Sequence, residues 1–75
     1  MNQTANFLET VNQEDEIQPR KKSWIYKKLG LFNEKKVREV MNEVIAKNRN
    51  IPITAASNEQ RVRASEVKLI LERFK

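Results

Sequence analysis

Apolar residues recur at helical spacing in three stretches of this chain. The first opens at Ser23, a suitable N-cap, and carries Trp24, Ile25 and Leu29 before Gly30, which reads as the stop. Leu31 and Phe32 follow and are expected to form a buried connection. The second stretch is the clearest. Asn33 can cap it, Glu34 suits its first turn, and Val37, Val40, Met41, Val44 and Ile45 fall at i, i+3, i+4, i+7 and i+8. Glu43 and Lys47 form a well-oriented i,i+4 pair on it, and Asn48-Arg49-Asn50 ends it. Ile51-Pro52-Ile53-Thr54 then reads as a short extended segment, a linker or an edge strand, because Pro52 lacks a ladder donor.

The third stretch is predicted from near Ser57 to Phe74. Ser57 and Gln60 fit a capping box, and Ala64, Val67, Ile70, Leu71 and Phe74 make the stripe, broadened by Val62 and Leu69. Ser65-Glu66 marks a second start if the chain breaks there. The fold class is therefore all-α: a small three-helix domain, with a minimal extended segment near 51–54.

Charge divides the chain in two. Residues 1–19 hold Glu9, Glu14, Asp15 and Glu16 with no Lys or Arg, a net −4. Residues 20–75 hold all 15 basic residues and the other six acids, a net +9. Pro19 disfavours a helical Gln18 and marks the junction. The expected organisation is an acidic, flexible N-terminal arm (1–19) on a basic helical domain (20–75). Phe7, Leu8 and Val11 also allow a short arm helix that docks on the body or on a partner, and the arm's acids are placed to shield the body's positive surface.

The composition removes most chemistry. There is no Cys and no His, so no disulfide framework, Cys/His zinc site, or thiol or imidazole catalysis is expected. One Gly cannot build a phosphate-cradling loop. Ser23, Ser57 and Ser65 each have a helix-start role and no partnering base. No enzyme, cofactor or metal is expected. Apolar runs are too short to cross a bilayer, and no signal-peptide h-region follows Met1, which leads to a cytoplasmic expectation with no membrane partner.

Residues 25–41, Ile25-Tyr26-Lys27-Lys28-Leu29-Gly30-Leu31-Phe32-Asn33-Glu34-Lys35-Lys36-Val37-Arg38-Glu39-Val40-Met41, resemble the helix-turn-helix of DNA-binding proteins. Leu29, Gly30, Leu31, Val37 and Val40 carry the match. Gly30 to Val37 spans seven positions where the family uses six, so the turn is one residue longer. The resemblance implies that the second helix enters the major groove of double-stranded DNA, with Lys35, Lys36, Arg38 and Asn42 facing it. Arg38 would pair with guanine and Asn42 with adenine. Arg20, Lys21, Lys22, Lys27 and Lys28 would lie along the backbone or in a minor groove. Trp24 reads as a core anchor or as a stacking platform for bases, and Tyr26 is the better candidate for an exposed role.

Two functional classes follow. One is a small DNA-binding regulatory or accessory protein, acting in transcription regulation, of the kind mobile elements encode. The other is a protein-interaction module, an inhibitor or adaptor that docks its basic helical surface on an acidic partner. A homodimer would supplement so small a core, with Val62, Leu69, Leu71 and Phe74 as the expected interface.

Overall fold

The computed structural model describes residues 17–75. Strand β1 (Arg20–Lys21) leads into helix α1 (Lys22–Lys28), followed by α2 (Glu34–Arg49), α3 (Ile53–Asn58), β2 (Arg61–Val62) and α4 (Ala64–Arg73). The two short strands pair antiparallel, Arg20 opposite Val62 and Lys21 opposite Arg61. The domain is small and helical, as the periodicity predicts. The readings placed on residues 1–16, including the Phe7, Leu8 and Val11 stripe and the arm's acids, lie outside the described residues.

Helix α2 is the scaffold. The Asn33 side chain accepts from the N–H groups of Lys35 (2.8 Å) and Lys36 (3.3 Å), satisfying two of the donors that a helix start leaves open. At the other end Asn50 adopts the left-handed conformation, φ 55°, and the Ile51 N–H returns to the Ala46 carbonyl at 3.0 Å. All five residues of the predicted stripe are buried. They pack with Ile25 and Leu29 of α1, Ala56 of α3, Val62 of β2, and Val67 and Ile70 of α4. Trp24, Tyr26, Leu71 and Phe74 are half-buried at the edge of this core.

Four details differ from the sequence reading, each for a physical reason. Helix α1 begins at Lys22, one residue before Ser23. The Lys22 N–H donates to the Gln60 carbonyl (3.0 Å), so the strand pair supplies a partner that a serine cap would otherwise provide. Residues 53–58 are helical, so the extended stretch shrinks to Ile51-Pro52 and α3 is a fourth helix. Pro52 stands just before that helix, where its missing N–H costs nothing.

The third stretch is interrupted because Arg61-Val62 pairs with β1 and Val62 is drawn into the core. The Ser57–Gln60 box does not form, and the Ser57 hydroxyl donates to the Thr54 carbonyl instead (2.7 Å). The cap belongs to α4, where the Glu66 carboxylate accepts the Arg63 N–H (2.7 Å). Finally, the α1–α2 connection is not buried. Leu31 is fully exposed, and Phe32 is partly exposed with its ring 4.9 Å from that of Phe74.

The body is tied together by a buried charge cluster. Glu66 has no exposed surface, yet its two oxygens accept from Arg49 Nε and Nη2 (both 2.8 Å), Asn48 Nδ2 (3.0 Å) and the Arg63 N–H. A buried carboxylate with four donors is fully satisfied. Arg49 also donates to the Arg61 carbonyl (3.0 Å), so one guanidinium links α2, the ribbon and α4.

Candidate nucleic-acid interface

The basic residues expected to face DNA divide into three groups. On α2, Lys35, Lys36 and Arg38 are exposed on the first two turns. Arg38 Nε donates to the Tyr26 hydroxyl (3.3 Å), and its Nη2 reaches Glu34 (3.3 Å). The bond to the Tyr26 hydroxyl, with the Glu34 carboxylate adding to it, raises the guanidinium above its ordinary pKa. This contact also places α1 beside the start of α2. Lys27 and Lys28 are exposed on α1.

The second group lies at the ribbon. A groove of about 410 Å³ is lined by Arg20, Lys21, Lys27 and Arg61 together with Trp24, and among the described residues no carboxylate lines it. Arg20 Cζ stands 4.2 Å from the centroid of the Trp24 ring, a cation–π contact between strand β1 and the first turn of α1. Arg61 is not among the residues that helical spacing turns toward DNA. Its place opposite Lys21 depends on strand pairing between residues forty positions apart, and no local pattern encodes that pairing.

The third group corrects two expectations. Asn42 is buried, and its Oδ1 accepts from Lys22 Nζ at 2.9 Å. Lys22 Nζ further donates to the Ala56 and Ser57 carbonyls (3.0 and 3.4 Å). Burial, acting against the attraction of Glu59 and together with Arg49, lowers the Lys22 pKa. Both side chains are spent inside the domain and face no groove. Helix α3 packs on α2, and the Lys22 ammonium ties Asn42 of α2 to the Ala56 and Ser57 carbonyls of α3. The DNA-facing stripe drawn from helical spacing is cut short after its second turn.

The expected partner interface is also corrected at one position. Val62 is fully buried on the core side of the ribbon. Leu71 and Phe74 are half-buried against the core, and Leu69 is exposed. Leu69 borders an apolar groove of about 590 Å³ between α2 and α4, with Val44 at its floor and Lys47, Glu72 and Arg73 at its rim. Glu43 is held below the ordinary carboxylate range by Lys47 (3.2 Å) and Arg73 (3.5 Å), which draws that rim together.

Of the two aromatics of α1, Trp24 has the Arg20 guanidinium over its ring, and the Tyr26 hydroxyl accepts from Arg38. Among the described residues no helix is long and apolar enough to cross a membrane, and no group of acidic side chains is arranged to hold a metal ion. No family model, curated protein or solved structure gives a match to this chain.

Proposed function

We propose that this is a small cytoplasmic DNA-binding protein with a regulatory or accessory role, using the α1–turn–α2 unit as a helix-turn-helix. The observation that carries the reading is the exposed cationic start of α2, where Lys35, Lys36 and Arg38 surround a capped helix end beside Lys27 and Lys28 of α1. Phosphate neutralisation by such a surface releases counterions and favours association. Glu34 and Glu39 are exposed on the same helix, and Arg38 offsets the first of them. A regulator of this kind is a natural product of a mobile element.

Fluorescence anisotropy with a duplex across a salt series tests the reading. If about five phosphates are neutralised, the log–log slope is roughly −4 to −5. The Lys35→Ala/Arg38→Ala variant weakens binding and flattens that slope. Duplex binding that is absent at low salt, or that the variant leaves untouched, removes the reading.

The exposed Leu69 at the α2–α4 groove favours a second reading, a protein-interaction module that docks on an acidic partner or on a second copy of the chain. A dimer through Leu69 and its neighbours Leu71 and Phe74 predicts a concentration-dependent sedimentation coefficient that Leu69→Glu abolishes.

A further inference from the structure

We infer that Tyr26 is a positioning residue: reaching from α1, its hydroxyl holds the Arg38 guanidinium so that the outer end of the fork meets a guanine edge in the major groove. This role presupposes the DNA-binding reading and adds to it a source of base preference, which contacts to phosphates do not supply.

The three exposed cations at the start of α2 are not equivalent. Lys35 and Lys36 are compact point charges on flexible stems and suit phosphates. Arg38 carries a planar fork, and two bonds hold it. Its Nε donates to the Tyr26 hydroxyl (3.3 Å) and its Nη2 to Glu34 Oε1 (3.3 Å). A guanidinium has five N–H donors. Both bonds use the side edge of the fork, which leaves the two N–H groups of Nη1 and the second of Nη2. One from each of these nitrogens makes the parallel pair that guanine O6 and N7 accept.

The two partners differ in what they fix. Glu34 stands four positions before Arg38 on the same helix with its side chain 71% exposed, so it travels with α2 and its attraction is screened. Tyr26 comes from another helix. Its ring packs against the core, and Ile25 and Leu29 on the same helix are buried. Tyr26 and Glu34 line one cleft of about 100 Å³ between the end of α1 and the start of α2, with Leu29 and Val37 beside them. A hydroxyl on an anchored ring is a fixed point, so it ties Arg38 to the frame of the domain. A side chain ordered before binding gives up less rotamer freedom when it docks. The gain falls on the contact that needs two aligned donors, the base edge, and so appears as preference.

The experiment uses the full chain and duplexes of about 20 base pairs with a randomised centre. Sequencing of the bound fraction gives the base preference at each position, and anisotropy gives the salt slope. The parent is expected to prefer guanine at one position by about tenfold. Tyr26→Phe keeps the ring and removes the hydroxyl. It is expected to cut that preference about fivefold, with the salt slope and the affinity for duplexes lacking that guanine unchanged. Arg38→Lys keeps the charge and removes the fork, so it loses the preference at the same position and keeps the salt slope. Urea midpoints confirm that both variants are folded.

A guanine preference that survives Tyr26→Phe intact overturns the inference, while the DNA-binding reading stands. A Tyr26→Phe loss spread evenly over all duplexes has the same result, because it marks a residue that only supports helix packing. So does duplex binding with no guanine preference, or a preference that Arg38→Lys leaves in place. No duplex binding by the parent at low salt removes the DNA-binding reading and the role of Tyr26 with it.

Discussion

Arg49 grips the buried carboxylate of Glu66 with two prongs, Nε to Oε2 and Nη2 to Oε1, each 2.8 Å long. The pair joins the end of α2 to the start of α4, and the same guanidinium reaches the backbone of Arg61 in the ribbon. Removing one partner of such a pair strands the other charge without compensation. Glu66→Ala is therefore expected to destabilise the domain by about 3–5 kcal/mol, read from the urea midpoint. Replacing both partners with apolar residues of similar volume recovers much of that loss. A double variant no more stable than Glu66→Ala would show that the loss does not come from stranding the Arg49 charge.

The same pair sets an acid limit on stability. Burial pushes the Glu66 carboxyl up, but Arg49, the Arg63 N–H and Asn48 together bring it below its ordinary value of 4.5. A carboxyl with a depressed folded-state pKa stabilises the fold fully above its unfolded value and loses that contribution as pH falls through the folded one. Stability is thus expected to be flat near neutrality and to drop in acid below about pH 4.5. Glu66→Gln lowers the plateau and flattens the acid limb. Denaturant melts at a series of pH values check both effects, and an unchanged acid limb in Glu66→Gln would assign it to other carboxylates.

Asn42 separates structure from recognition. Its Oδ1 is an acceptor for the half-buried Lys22 ammonium, so Asn42→Ala leaves a desolvated donor short of a partner. The expected cost is about 1–3 kcal/mol of stability. Under conditions where the variant is folded, its duplex affinity and base preference should match the parent. A selective loss of preference at one base pair would return Asn42 to the DNA-facing set.

Leu31 gives the opposite contrast. A leucine in the α1–α2 connection suggests burial, but its side chain stands wholly in solvent. Leu31→Ser is expected to change stability by no more than about 0.5 kcal/mol, whereas Ile25→Ala in the core costs about 2–5 kcal/mol. Thermal melts of the two variants side by side decide this. A large loss in Leu31→Ser would mean that the exposed leucine is covered in solution by another surface.

The helical class, the extent and buried face of α2, its Asn33 cap and its Glu43–Lys47 pair were all legible in the sequence. Each depends on residues within one or two turns of one another, where spacing alone decides which side chains share a face. The removal of thiol and imidazole chemistry needed nothing beyond composition.

The tertiary structure decided the rest, through contacts between distant residues. Arg61-Val62 leaves its helical pattern because Arg20-Lys21 offers it a ladder partner, and that pairing buries Val62 and sets Arg61 opposite Lys21. Asn42 lies one helical turn from Arg38, yet it is buried against Lys22 while Arg38 stays exposed. The Glu66 cluster joins groups that helical periodicity places on separate elements. Helical spacing says which residues share a face; only packing says which faces stay in water, because burial depends on what folds back over them.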